Sequence, residues 1–256
     1  SRAICADRIG VARLAKMAFA GRDMREVWRE LLTQVADNTA CAGVGMDLSV
    51  VAQLLGEKGK GLAIQEEVLR QHRLFRSPCH VDFPNLKVLA LAAQMDLGGN
   101  TPIEFLLDQS DVELTTLYVV PGFALPDPLP DHDIAIVVAP IDDKTEATLT
   151  EIERHARHWP RPMLNEANLL RALERDRLCG LLAGAPGVCI PKTARLLRHE
   201  LAALDDANVA QWLDGASFPI IVRPTSSHAG LGLSKLDSRA DVSGYLSERP
   251  EQAFFI

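Results

Sequence analysis

Phe218-Pro-Ile-Ile-Val-Arg-Pro-Thr-Ser-Ser-His-Ala-Gly-Leu-Gly-Leu-Ser-Lys235 joins an apolar run to a cation, and the cation to a loop of small and hydroxyl side chains. Phe218 to Val222 is rich in β-branched residues and reads as a buried strand. Arg223 and Pro224 follow it, and Gly230 and Gly232 lie in the loop beyond. Small residues let backbone N–H groups approach phosphate oxygens, and Ser226, Ser227 and His228 add donors. Arg223 stands where a guanidinium would reach a polyphosphate. The pattern predicts a phosphate cover hinged on a strand. An ordinary glycine hairpin between Val222 and Leu233 is the other reading.

Beyond the loop, Ser234 to Leu236 reads as extended, Asp241 to Leu246 as a short helix and Ala253 to Ile256 as a strand in which the sequence stops. Before it, Asn168 to Leu182 reads as helix, Val188 to Thr193 as extended, and Leu196 to Asp206 and Asn208 to Leu213 as helical. Further back, Leu86 to Ala93 is apolar but for Lys87, as expected of a strand covered on both faces. Thr101-Pro102 opens a helix through Leu107. Val112 to Val120, Ile134 to Ala139 and Pro162 to Leu164 read as strands, and Thr145 to His158 as an amphipathic helix. That alternation predicts a mostly parallel sheet with helices on its faces.

Residues 1–80 read as all helix. Met24, Val27, Trp28, Leu31, Leu32, Val35 and Ala36 mark one helical face. Ile9 to Phe19 is apolar and stops at Gly21, a C-cap glycine. Asp47-Leu48-Ser49 leads into a helix that Gly56 ends; Gly56 to Gly61 is a turn, and helix resumes to Arg70. Gly43-Val44-Gly45 reads as a turn. The helix-turn-helix rhythm faintly resembles a tetratricopeptide joint between Ala15 and Leu31, without a second copy at a fixed period.

The chain has 256 residues, 47% of them hydrophobic and 24% charged, enough for a sizeable core. The net charge of -7, with Lys and Arg scattered, argues against nucleic-acid binding. No run of 18 uncharged apolar residues exists to span a membrane. Five cysteines without a Cys-x-x-Cys pair fit reduced thiols in a cytoplasmic chain. Cys79-His80 with Asp82 has poor metal-ligand geometry. His155 and His158 beside Arg154 and Arg157 read as a solvated face.

The quoted block resembles the ATP-grasp superfamily, whose members include D-alanine–D-alanine ligases, glutathione synthetases and glutamate-ligating enzymes. A second block agrees in order: Leu164-Asn165, Asn168-Leu169-Leu170, Glu174-Arg-Asp176-Arg177, Leu181-Leu182 and Ile190-Pro191-Lys192-Thr193. The resemblance covers about 86–256. It implies an α/β fold in three parts: a helical module over 1–80, a Rossmann-like pre-ATP-grasp sheet over 84–164, and the first part of an ATP-grasp α+β domain over 165–256. It further implies ATP and Mg²⁺, a small-molecule or peptide carboxylate substrate, attack of that carboxylate on the γ-phosphate, and displacement by an amine.

Cofactor contacts are expected at Arg223, Ser226, Ser227, His228, Gly230 and Gly232, and near Arg198. The family has Lys where this chain has Arg223, Arg177 and Arg198, and the forked guanidinium is not a neutral swap. The adenine-contacting hinge and the Mg²⁺ carboxylates would follow Ile256, so the 256 residues correspond to the front of the fold and are not expected to complete catalysis.

Asp96-Leu-Gly-Gly-Asn100-Thr-Pro102 follows a strand and opens a helix, where an anion is favoured. By resemblance Gly98, Gly99 and Asn100 would face a substrate carboxylate; a plain strand-to-helix turn is the alternative. The helices of 1–80 would dock a protein partner or a second copy. Two other readings stand beside the ligase: a helical-repeat scaffold with a degenerate nucleotide fold, and a Rossmann-like small-molecule binder whose binding does not depend on Arg223.

Overall fold

The computed structural model describes residues 5–36, 42–142, 144–170, 173–227 and 230–256, in two compact units, 1–170 and 171–256. The first unit is built on six strands: β1 (Ala6–Asp7), β2 (Leu74–Arg76), β3 (Leu86–Ala92), β4 (Val112–Tyr118), β5 (Ile134–Val137) and β6 (Met163–Leu164). They stand in the order β1-β2-β4-β3-β5-β6. β3 pairs in parallel with β4 and with β5, in registers that include Leu86↔Val112 and Val88↔Ile134. The β2–β4 pairing is antiparallel.

Seven helices of this unit are described: α1 (Val11–Phe19), α2 (Met24–Ala36), α3 (Ala42–Leu54), α4 (Lys58–Gln71), α5 (Ile103–Leu107), α6 (Glu146–Ala156) and α7 (Ala167–Leu170). Side chains alternate across β3 with the period of two that a strand imposes. Val88, Ala90 and Ala92 pack with Met46 of α3 and Leu69 of α4, whereas Leu89 and Leu91 pack with Leu149 and Ile152 of α6. Both faces are therefore covered, which explains the apolar run Val88–Ala93 after Lys87.

The stretch 1–80 is not all helix, and it is not a separate body. Its flanking segments form β1 and β2, which extend the sheet, and α3 and α4 cover one sheet face. Gly21 does end α1: it sits at φ 81°, its N–H donates to the Ala18 carbonyl, and the Arg22 N–H donates to the Met17 carbonyl. On α2 the buried stripe is Met24, Val27 and Leu31, while Leu32 and Val35 are exposed.

Three local expectations are corrected. Gly43-Val44-Gly45 is not a turn but lies inside α3. A Cβ on Gly43 would stand 1.8 Å from the Asp7 carbonyl oxygen, and one on Gly45 2.6 Å from Val68, so these glycines permit close packing. Asp47 does not open a helix. It is buried in mid-α3, and its carboxylate accepts the N–H groups of Ile9 at 2.7 Å and Gly10 at 3.0 Å, closing the entry to α1 from another helix. The turn after Gly56 is shorter than 56–61, because α4 already begins at Lys58.

The second unit carries an antiparallel sheet of β7 (Arg195–Leu197), β8 (Ile220–Pro224), β9 (Ser234–Leu236) and β10 (Ala253–Phe255), in the order β7-β10-β8-β9. Its helices are α8 (Arg175–Leu182), α9 (Arg198–Ala202), α10 (Asp206–Trp212) and α11 (Ala240–Ser247). Leu196, Leu201, Leu204, Val209, Val222, Leu246 and Phe254 form the core. Asp205 caps α10, accepting from the N–H groups of Ala207 and Asn208. The helix expected over Asn168 to Leu182 is instead described as α7 and α8, no strand is described over Val188 to Thr193, and β7 occupies Leu196 and Leu197, where helix was expected. Among the described residues no helix is long and apolar enough to cross a membrane.

Candidate functional site

On β8 the side chains of Ile220, Val222 and Pro224 are buried, whereas Ile221 and Arg223 point to the opposite face. Phe255 on β10 lies opposite Arg223 on one side and Arg195 on the other. Three neighbouring strands thus carry a row, Arg195–Phe255–Arg223. The Arg195 guanidinium carbon stands 5.0 Å from the centre of the Phe255 ring, and that of Arg175, at the start of α8, stands 5.9 Å from it.

The three arginines differ electrostatically. Arg195 is neutralised, with Nη2 2.5 Å from the Glu174 carboxylate and Nε 3.1 Å from that of Asp176. Burial works to raise the Asp176 carboxyl, but the hydrogen bond and charge of Arg195 outweigh it and hold the group below the ordinary carboxylate range. Among the described residues neither Arg175 nor Arg223 has a carboxylate partner. Burial, and then the charge of Arg175, lowers the pKa of Arg223. Half-buried Arg223 on the sheet face and exposed Arg175 at the start of α8 together create a field that favours an anion.

The glycine-bearing loop folds back onto this cation. Arg223 Nε donates to Ser227 Oγ at 3.1 Å, and Nη2 donates to the Ser227 carbonyl. Ser227 is buried, and its hydroxyl donates to the Pro224 carbonyl at 2.9 Å. Gly232, at φ 68°, lies so close that a Cβ would stand 2.7 Å from Pro224 Cδ, and its carbonyl accepts from Tyr245 Oη at 2.8 Å. Gly230 also has positive φ, and Ser226 is exposed. His228 lies outside the described residues.

Arg198 has a different setting. Its Nη1 donates to the carbonyls of Arg249 at 2.7 Å and Glu251 at 3.1 Å, and its Nη2 donates to Leu246 at 2.7 Å. These bonds hold the end of α11 and the turn into β10. Asp176, in the block that carries the resemblance, is paired with Arg195. Arg175, Arg195 and Phe255 were not singled out by sequence. The dense charges at 174–177 were the available signal for the first, but cross-strand register, which brings the other two to Arg223, is not written in any local pattern.

Gly98, Gly99 and Asn100 belong to the first unit. Asn100 Oδ1 accepts from the Ala93 N–H at 2.9 Å and Nδ2 donates to the Ala93 carbonyl at 2.8 Å, closing the loop on itself. Gly98 sits at φ 83°, and a Cβ on Gly99 would press on Met95 at 2.9 Å. α5 has five residues, and the Asn100 carboxamide is bonded to backbone. Gly98 and Asn100 line a cavity of about 350 Å³ in the first unit.

Among the described residues no group of three or more His, Cys, Asp or Glu side chains could hold a metal ion. Cys5, Cys79, Cys179 and Cys189 are free thiols.

The fold is similar to that of a RimK domain ATP-grasp protein from Sphaerobacter thermophilus DSM 20745, with 18% identity, a TM-score of 0.36, and coverage of 65% of this chain and 61% of that one. It is also similar to the VanG D-Ala:D-Ser ligase of Enterococcus faecalis, with 13% identity, a TM-score of 0.39, and coverage of 67% and 62%. The chain therefore spans less than two thirds of the length of either. No family model and no curated protein matches the sequence.

Proposed function

We propose that these residues are the N-terminal portion of an ATP-dependent carboxylate–amine ligase of ATP-grasp type, acting through an acyl phosphate and incomplete alone. The observation that supports this reading is the pair formed by half-buried Arg223 and exposed Arg175, neither with a carboxylate partner among the described residues, the former bonded to a glycine-bearing loop. Such a pair suits the oxygens of a polyphosphate, which two guanidinium forks can grip together. ATP, when bound, supplies the phosphoryl group that activates a substrate carboxylate. Arg223 exchanges its bonds to Ser227 for bonds to phosphate oxygens, which releases the loop to cover them. In this reading the Mg²⁺ ligands come from residues outside the 256, and no step is assigned to the metal here.

Calorimetric titration with inorganic tripolyphosphate tests the anion site. A charge-assisted hydrogen bond contributes about 1.5–3 kcal/mol. Arg223→Ala and Arg175→Ala should therefore each weaken binding about tenfold or more. Lys235→Ala, at an exposed lysine paired with Asp237, should leave it within about twofold. Arg223→Ala binding as tightly as wild type would overturn the reading. The ligase assignment itself is tested on the endogenous protein: a mass near 28.0 kDa would sink it, whereas a larger mass with phosphate release that requires ATP, a carboxylate and an amine would support it.

A further inference from the structure

Nε and Nη2 form one edge of the Arg223 guanidinium, and an arginine grips paired phosphate oxygens with such an edge. This chain already fills it. Nε donates to Ser227 Oγ at 3.1 Å, and Nη2 donates to the Ser227 carbonyl oxygen. Ser227 thus offers two oxygens to that edge, as a phosphate group would. Its hydroxyl hydrogen is used elsewhere: Oγ donates to the Pro224 carbonyl at 2.9 Å, which leaves an oxygen lone pair for Nε. Bonds joined in this way reinforce one another. A tight turn sets the contact, because the Ser227 N–H donates to the same Pro224 carbonyl at 3.2 Å. Ser227 is 9% exposed, so water competes poorly for its oxygens. All of these bonds lie within residues 223–227. The far end of the loop is fastened separately, by Tyr245 Oη donating to the Gly232 carbonyl at 2.8 Å.

We infer that Ser227 is an autoinhibitory latch on Arg223 rather than a contact to phosphate. The inference rests on the reading of Arg223 as the polyphosphate cation, and adds to it the residue that holds that cation in reserve. An anion reaches the Nε–Nη2 edge only after Ser227 has left it, so its apparent affinity is lowered by the fraction of molecules already unlatched. That fraction is the same whichever anion follows. Removing the Ser227 hydroxyl therefore tightens the binding of every phosphate chain by one factor. A hydroxyl that donated to phosphate, as the sequence alone predicts, has the opposite sign: its removal weakens binding.

Calorimetric titration of the full chain with tripolyphosphate and with pyrophosphate is the test. Ser227→Ala should tighten both about five- to tenfold, the effect of one charge-assisted hydrogen bond at a half-buried guanidinium. In an Arg223→Ala background the same change should move neither affinity beyond about twofold, because the latch has lost its other half. Tyr245→Phe loosens the far end of the loop without touching the latch, and should not tighten binding. Unchanged or weaker binding by Ser227→Ala, with Arg223→Ala still weakening it, overturns the latch and leaves the anion site standing. Arg223→Ala that binds as wild type does, or no binding by any of the proteins, overturns both. Tightening by Tyr245→Phe equal to that of Ser227→Ala means general loosening and overturns the latch, as do factors for the two anions that differ by more than about threefold. If Ser227→Ala fails to fold, Ser227→Gly, which also lacks the hydroxyl, is judged by the same outcomes.

Discussion

Replacing Glu104 by leucine should damage the first unit more than its place on a five-residue helix indicates. One carboxylate oxygen accepts from Arg8 Nη2 at 2.9 Å, and the other accepts from the Ala12 N–H in the first turn of α1 at 3.0 Å. Gly10 makes that approach possible, since a Cβ there would stand 2.2 Å from the carboxylate. The two side chains of the ion pair are only 4% and 13% exposed. Removing one member of a buried pair strands the other charge and costs about 3–5 kcal/mol. Arg8→Met should cost a similar amount. The double variant Arg8→Met/Glu104→Leu should cost less than the sum of the two single changes, because neither member of the pair is then left without the other. Urea unfolding in a Trp212→Phe background checks this, since the remaining Trp28 and Trp159 both lie in the first unit. A Glu104→Leu loss below about 1 kcal/mol, or a double-variant loss equal to the sum of the singles, would refute the argument.

Gly43→Ala should destabilise the same unit by about 1–3 kcal/mol or more, because its Cβ meets backbone of β1 rather than a side chain that can move; a midpoint unchanged in urea would refute the close-packing account. In the second unit Asp176 is held below its ordinary value of 3.8 by Arg195 against the opposing effect of burial. Its contribution is therefore fully present above pH 3.8 and is lost as pH falls through the lower folded value. Trp212 fluorescence in a Trp28→Phe/Trp159→Phe background should show that loss, and Asp176→Asn should remove it; an identical acid profile for both proteins would count against the pairing.

How far the sequence could be read depended on the range of the interaction. Leu86–Ala92 and Ile134–Val137 were legible as apolar runs suited to strands covered on both faces, and Val112–Tyr118 by its β-branched residues. Arg223 and its loop were legible because a cation between a β-branched run and paired glycines is a local pattern. What escaped was tertiary. Gly43 looks like a turn residue until the Asp7 carbonyl is brought against it, and Asp47 looks like the start of its own helix until it is seen closing another. The helices of the first 80 residues read as separate because two- and three-residue strands such as β1 and β2 are too short to show a period. Arg175 and Phe255 join Arg223 only through strand register and the start of a helix 48 residues earlier in sequence than Arg223.

α1, with nine residues, is too short to persist by itself in water. Its first amides are closed by carboxylates that arrive from Asp47 and Glu104, 37 to 92 residues away along the chain. The hydrogens on Ile9, Gly10 and Ala12 are therefore long-range gauges. Their exchange with deuterated solvent measures how often α3 and α5 lift from the entry to α1, and a peptide cut from Ile9 to Gly21 would exchange all of them at the rate of free chain.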